Sequence, residues 1–407
     1  MNPFRLPTFR RLWISSLSSS GAQGMERTAT AWLTLEAGGG AFAIGLVFAA
    51  RMLPSLLFGL AAGTIADRGE RSRQLLAVGA GSFLLLAAFG AIIGHGAVAV
   101  WQILAFSFAA GCIQTFDTPA RQALVLDLVP VEGAERALAL NALASRLAMV
   151  LGAFAAGALI PFAGTARCYF VIAAVHSVTA IMASTLPVAR ERRSAAGLPP
   201  FGQAIRDAAR LIVDIPAVRT LITAGIACEI FAFSYTSALP ILAEKVLHTG
   251  AEGLGTLNAA VALGGLVAVI LLALLPRTTR REPLLGAAFV VYGLSLLAVA
   301  MTGSLLFAAA ILVVTGLCAG AFDVLQQTLI QLAVPREQRG RAVGVWVLGL
   351  GSAPVGHIEM GLLVALLGAR EALSINAVLT LIAALILLAR APSFRLLGGR
   401  GRPLPAL

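Results

Sequence analysis

Seven ionisable side chains stand inside long apolar runs, where a charge is costly and therefore asks for a reason. Glu26 and Arg27 adjoin in the first run, Arg51 lies in the second, Arg146 in the fifth, Glu229 in the seventh, and His357 and Glu359 share the eleventh. A charge at the centre of a bilayer costs about 2.5–3.5 kcal/mol on insertion scales, so each is a functional candidate by default. Glu229, Phe233 and Thr236 share a helical face, which sets an acid beside an aromatic wall. Such a face can take a proton. Arg51 stands ten residues into its run and Glu26 fourteen into one of opposite direction, so their depths match. An ion pair between them makes both tolerable, as a packing device or as part of a substrate or proton site. Arg146 is placed to meet an anionic substrate or an acid such as Asp117. His357 and Glu359 are two apart, about 200° around a helix, so they cannot squarely face one cavity. His357 is either a proton carrier or a hydrogen-bonded structural residue. Glu359 either serves transport or holds a packing contact.

A second charged set borders the membrane. Between two apolar runs lies Gly63-Thr64-Ile65-Ala66-Asp67-Arg68-Gly69-Glu70-Arg71-Ser72-Arg73, read as a short cytoplasmic loop. Asp117 and Arg121 end the fourth run near it. Enzyme constellations are missing: no HExxH, GxSxG or paired-His spacing occurs. Cys112, Cys168, Cys228 and Cys318 all lie in apolar stretches without a CxxC pair, which fits buried thiols and neither disulfides nor a metal site.

The elements that must position these residues follow from composition. The chain has 407 residues, 12% charged, with a mean hydropathy of +0.91. A helix needs about 20 apolar residues to cross a bilayer, and such runs recur nearly end to end. The pattern predicts an all-α membrane protein with helices over 12–36, 41–62, 74–94, 99–121, 138–161, 168–188, 219–245, 255–276, 284–303, 305–328, 341–367 and 371–391. The net charge of +11 invites a nucleic-acid reading, but its placement argues otherwise. Of 30 Lys and Arg, 24 fall in the N-terminal segment, alternate loops, the middle segment and the C-terminal region. That bias keeps both termini in the cytoplasm. Arg5, Arg10 and Arg11 precede a first run without a small-residue cleavage site, so it is kept as a span.

Residues 189–218 form the one linker, broken by Gly197-Leu198-Pro199-Pro200 and then carrying an amphipathic helix from Phe201, expected along the inner membrane face. It separates residues 1–188 from 219–391, with 392–407 as a cytoplasmic tail. The halves echo one another. Phe116-Asp117 precedes Pro130, and Phe322-Asp323 precedes Pro335; the aspartates are 206 apart and the prolines 205. This predicts two pseudo-symmetric six-helix bundles of parallel repeat.

The stretch GTIADRGERSR, with Gly63, Asp67, Arg68, Arg71 and Arg73, resembles the signature of the major facilitator superfamily between its second and third spans. FDTPARQALVLDLVP at 116–130, Asn141-Ala142-Leu143 and FRRLWISSLSSSGAQ near the start resemble its drug:proton antiporter-like branch of transmembrane secretion effectors and enterobactin-exporter-like proteins. Two departures stand out. The fifth-span antiporter signature usually contains Gly-Pro, where this chain has Gly152-Ala153-Phe154-Ala155-Ala156-Gly157, and Gln23 stands where the branch often has an acid. The resemblance implies the twelve-helix fold of two bundles and a cytoplasmic latch. In that latch Asp67 meets the start of the eleventh span at Gly340 and Arg341, and Arg71 reaches Asp117. It also implies export of a small organic molecule by alternating access across the cytoplasmic membrane. The driving force is a proton gradient through Glu229 or Glu26, with no cofactor. A catecholate siderophore is the alternative cargo, suited to Arg51; a non-transporting scaffold or receptor is the rival class. The expected partners are the bilayer and a small molecule, with no nucleic acid, and the expected state is a monomer.

Overall fold

The structure, a computed structural model, describes residues 3–68, 70–96, 98–187, 201–276, 278–335 and 338–390; side chains at 60–61, 63–68, 131–132, 135, 201–205, 207–208, 339–341 and 343 lie outside the description. The first half is α1 (Pro7–Glu36), α2 (Ala41–Arg68), α3 (Arg71–Gly94), α4 (Val100–Leu128), α5 (Val131–Ala163) and α6 (Thr165–Ser184). A connecting helix, α7 (Phe201–Asp214), leads into α8 (Pro216–Val246). Then follow α9 (Gly250–Leu274), α10 (Arg281–Met301), α11 (Leu305–Leu332), α12 (Arg339–Leu350), α13 (Ala353–Leu367) and α14 (Ala369–Ala389). The eleventh expected span is thus two helices, divided at Gly351–Ser352. No strand occurs among the described residues.

Ten of these stretches are long and apolar enough to cross a membrane, and the protein is a multi-pass membrane protein. The two that fall short are informative. α1 carries Glu26, Arg27 and a run of serines, and α4 carries Gln102, Gln114 and Asp117. Polar residues dilute the apolar signal in the helices that carry polar work.

Several boundaries differ from the sequence expectation. The loop expected at 63–73 is helix on both sides of a break between Arg68 and Arg71, so Gly63 to Arg68 continue α2 and Arg71 and Arg73 open α3. α4 runs through Pro119 to Leu128, which places Asp117 and Arg121 inside the helix rather than at its end. Two segments, 188–200 and 391–407, lie outside the described residues, so most of the expected linker opening and the tail go undescribed. α7 packs against α12, and its Leu211 joins the core of the second half.

Close glycine crossings set the architecture. Within the first half, α2 meets α4 where a Cβ on Gly111 would lie 2.3 Å from the Arg51 carbonyl oxygen. Within the second, α9 meets α11 where a Cβ on Gly316 would lie 2.0 Å from the Val261 carbonyl oxygen. Gly111 and Gly316 are 205 apart, matching the offset of the prolines. The reversal after α5 uses Gly164 at φ 83°, and the one after α13 uses Gly368 at φ 99°; both are conformations that only glycine adopts freely. Internal repetition therefore extends from motif to backbone geometry.

The halves touch along two helix pairs, α2 with α13 and α5 with α9. A Cβ on Gly45 would lie 2.3 Å from the His357 carbonyl oxygen and 3.1 Å from the Gly361 Cα. A Cβ on Gly157 would lie 2.7 Å from the Gly255 Cα. All four glycines sit toward the end that carries the 37–40 turn. Further along the same pair of helices the halves touch again, where a Cβ on Gly351 would lie 2.6 Å from the Leu56 Cδ1. The cleft between the halves is shut at the 37–40 end.

Candidate functional site

Between the halves lies a cavity of two adjoining lobes with charged side chains in its lining. The first, about 240 Å³, lies largely in the first half and is lined by Gln23, Glu26, Arg27, Phe48, Arg51 and Gln114 among others. The second, about 210 Å³, spans both halves and is lined by Arg27, Arg146, Glu229, Phe233, Asp323 and His357 among others. Gly24, Arg27, Met52 and Met149 belong to both lobes and join them.

The matched depths of Glu26 and Arg51 produce a two-pronged ion pair. Arg51 Nη1 is 3.0 Å from Glu26 Oε1, and Nη2 donates to Glu26 Oε2 at 3.1 Å and to Gln114 Oε1 at 3.2 Å. Glu26 is buried on one side of the first lobe, its charge matched by a rigid fork. Gly111 brings α4 close enough for Gln114 to complete the arrangement.

Glu229 stands differently. α8 is a regular helix through Ala227, then tightens and loosens in turn: a π turn at Cys228–Ala232, a 3₁₀ turn at Phe233–Ser237 and a second π turn at Leu242–Val246. π turns widen the backbone ladder and often mark functional positions. Glu229 lies in the first of them and faces the second lobe with Phe233 and Thr236, as their shared face predicts. No Lys or Arg nitrogen lies within 4.0 Å of its carboxyl among the described residues. Gly356 of α13 backs this turn; a Cβ there would lie 2.6 Å from the Ile230 Cα and 2.8 Å from the Glu229 carbonyl oxygen.

Arg27 and Arg146 both line the second lobe and are exposed to it. Neither joins an ion pair among the described residues. Arg146 does not meet Asp117. Its Nη1 instead reaches α9, 3.9 Å from where a Cβ on Gly265 would stand. His357 is buried at the shut end of the lobe, sharing a 2.7 Å hydrogen bond with Ser237 Oγ through Nδ1 and stacking on Phe48 with centroids 5.3 Å apart. Glu359 points away from the cavity: its Oε2 accepts from Asn376 Nδ2 at 3.0 Å, and Asn376 also donates to Ser234 Oγ at 3.3 Å. This places Glu359 in a contact with α14.

The charged set near the break between Arg68 and Arg71 is rearranged relative to the expectation. Arg71 pairs with Asp127 of α4 and donates to the Ala123 carbonyl oxygen, rather than reaching Asp117. The reason is the extra length of α4, which carries Asp127 to the level of Arg71 and leaves Asp117 nearly three turns deeper. Asp117 is bound by Arg121 of its own helix, at 2.7 Å, and accepts from Ser19 Oγ at 3.2 Å. Arg121 Nη1 donates to Ser15 and Ser16, both at 3.1 Å. This buried network fastens α4 to α1 within the first half. Arg73 makes a local pair with Glu70 and is largely exposed. The side chains of Gly63, Asp67, Arg68, Gly340 and Arg341 lie outside the described residues, and with them the expected latch to the eleventh span.

Sequence reasoning missed four contributors: the serines of α1, Gln114, Asp127 and, above all, Asp323. The repeat already held the signal for Asp323. Asp117 has Arg121 one turn on, whereas Asp323 has Gln327. Deprived of a same-helix partner, Asp323 faces the second lobe.

Two pseudo-symmetric helical halves around a cavity lined by charged side chains define a membrane transporter rather than an enzyme. The chain belongs to the transmembrane secretion effector family of the major facilitator superfamily, whose profile matches residues 1–395. It is 26% identical over 377 residues to the multidrug efflux pump Tap of Mycobacterium tuberculosis, covering 88% of this chain and 87% of the relative. It is 23% identical over 361 residues to the staphyloferrin A transporter of Staphylococcus aureus, covering 86% and 88%. Its fold matches that of a bacterial homolog of the human lysosomal transporter Spinster, with a TM-score of 0.74, 16% identity and 100% of both chains covered.

Proposed function

We propose that this chain exports a small organic molecule across the cytoplasmic membrane in exchange for protons. The 69–70 end faces the cytoplasm, and Glu229 is the carboxyl that carries the proton. The supporting observation is the contrast between the two cavity acids. Glu26 is held by Arg51, which Gln114 holds in turn, and so is already matched in charge. Glu229 faces the cavity from an irregular turn with no ion-pair partner among the described residues, so a proton or a cargo group can neutralise it in turn. Antiport needs such an exclusive site, because coupling is a difference in affinity between states. The 24 of 30 basic residues on one side support the orientation, with the 37–40 end outward.

The test is accumulation of ethidium in inverted membrane vesicles under an imposed pH gradient, acid inside. Wild type and Glu26→Gln, in which an amide keeps a hydrogen bond to Arg51, should both accumulate dye. Glu229→Gln should not respond to the gradient. Accumulation that persists when the gradient is collapsed would sink proton coupling, and a gradient-driven Glu229→Gln variant would remove Glu229 from the role. A second reading, export of a catecholate siderophore, draws on Arg27 and Arg146, the two cavity arginines without an acid partner. It predicts that such a siderophore competes with the dye.

A further inference from the structure

The charges of the second lobe are sorted by half. Arg27 on α1 and Arg146 on α5 belong to the first half; Glu229 on α8 and Asp323 on α11 belong to the second. Glu229 and Asp323 are electrostatic neighbours, as are Asp323 and Arg146. The route between the last two is short. Arg146 Nη1 approaches Gly265 of α9, and Gly265 lies against Gly320, one turn from Asp323. Yet no cation–carboxylate pair closes across the lobe within 4.0 Å among the described residues. Opposite charges that face each other without touching leave a space whose field runs from one half to the other. A ligand with one charge would gain from one wall and be repelled by the other. A ligand with both gains from both. Phe233, Met52 and Met149 add an apolar lining for the rest of such a molecule, and methionine adapts to varied shapes.

We infer that the lobe takes a zwitterionic amphiphile, with its anionic group on Arg27 and Arg146, its ammonium group on Glu229 and Asp323, and its apolar body against Phe233, Met52 and Met149. The inference rests on the cavity being the transport site and goes further by giving the cargo's charge pattern. It also assigns Asp323 a binding role that matches the missing partner at Gln327.

A matched fluorescent series isolates charge from body. Dansyl-lysine carries both charges, dansyl-cadaverine the cation alone, dansyl-aminohexanoic acid the anion alone, and dansyl amide neither. Binding to the purified full chain in lipid nanodiscs, read by dansyl emission and without any gradient, should be at least about tenfold tighter for dansyl-lysine than for either singly charged probe, the loss expected for one charged contact. Asp323→Asn should bring dansyl-lysine to the level of the anion probe, and Arg27→Gln to that of the cation probe. Equal binding of dansyl-cadaverine and dansyl-lysine overturns the cationic wall. Equal binding of dansyl-aminohexanoic acid and dansyl-lysine overturns the acidic wall and leaves an anion site. Binding of none of the four overturns the inference for a body of this size. Because nothing is transported, these outcomes are separate from those that test proton-coupled export. Wild-type thermal stability of both variants shows that a loss of binding is not a loss of fold.

Discussion

The two glycine crossings between the halves make a quantitative claim about conformational balance. A Cβ on Gly157 would stand 2.7 Å from the Gly255 Cα and 2.9 Å from the Ala251 carbonyl oxygen. Non-bonded carbons are comfortable at about 3.5–4.0 Å, so Gly157→Ala asks α5 and α9 to part by about 1 Å. Overpacking of this size costs about 1–3 kcal/mol. That cost falls only on the state in which α5 and α9 touch; a state with the 37–40 end open escapes it. The equilibrium should therefore shift toward that open state by about 5- to 150-fold. The readout is Ala262→Cys, a small cavity-lining position, in a background lacking the four native cysteines. A membrane-impermeant maleimide added to intact cells should label it faster by that factor when Gly157→Ala is present. Gly152→Ala is the control, because its Cβ would lie 2.0 Å from the Gly21 carbonyl oxygen inside the first half. It should weaken the bundle without favouring either state. Unchanged labelling with Gly157→Ala, or an equal increase with Gly152→Ala, would refute the crossing as the closure.

Other perturbations follow from named contacts. Arg51→Ala should strand the buried Glu26 carboxylate and cost about 3–5 kcal/mol, read as a lower melting temperature in detergent, whereas Glu26→Leu with Arg51→Met should recover most of it. Arg71→Ala breaks a partly exposed pair with Asp127 and a long bond to the Ala123 carbonyl oxygen and should cost about 1 kcal/mol; a much larger loss would mean that these contacts hold the fold. Gly356→Val should displace the π turn at Glu229 and abolish gradient-driven accumulation while the protein still purifies folded; normal transport would detach that turn from function. Arg73→Cys, largely exposed beside the break between Arg68 and Arg71, should react with the impermeant maleimide in inverted vesicles only, and Arg370→Cys in intact cells only; the reverse would invert the topology.

What the sequence made legible is what depends on one residue's chemistry or on a simple period. Apolar runs located the helices, with ends up to seven residues off, and counting into antiparallel runs brought Glu26 to Arg51. What escaped depends on lengths that polar residues conceal. Nothing in a hydropathy pattern says that a helix continues through Pro119 to Leu128, because the last turns of α4 stand at the membrane edge where polar residues cease to be costly. Once α4 is longer, Arg71 must find Asp127, and the Arg71–Asp117 contact expected from the resemblance cannot form. The irregular turns of α8 escaped for another reason. A π turn is fixed by what packs against it, here Gly356 from a helix more than a hundred residues away, and no local propensity encodes that.

The repeat carries more functional meaning where it fails than where it holds. Shared features (the glycine crossings at Gly111 and Gly316, the reversals at Gly164 and Gly368) build two like halves. The aspartates occupy like slots but meet unlike surroundings. In the first half Arg121 stands one turn from Asp117, and Ser15, Ser16 and Ser19 of α1 complete a buried network, so that acid is committed to holding α4 on α1. In the second half the fourth residue on is Gln327, the corresponding acid has no ion pair among the described residues, and Asp323 lines the cavity. A single difference in type, arginine against glutamine at matching positions, thus divides the two aspartates between structure and binding. The division has a direct consequence. Gln327→Arg should draw Asp323 into a same-helix pair like that of Asp117 and weaken dansyl-lysine binding as much as Asp323→Asn does, although no cavity residue has been removed. Undiminished binding in Gln327→Arg would show that the missing arginine is not what frees Asp323.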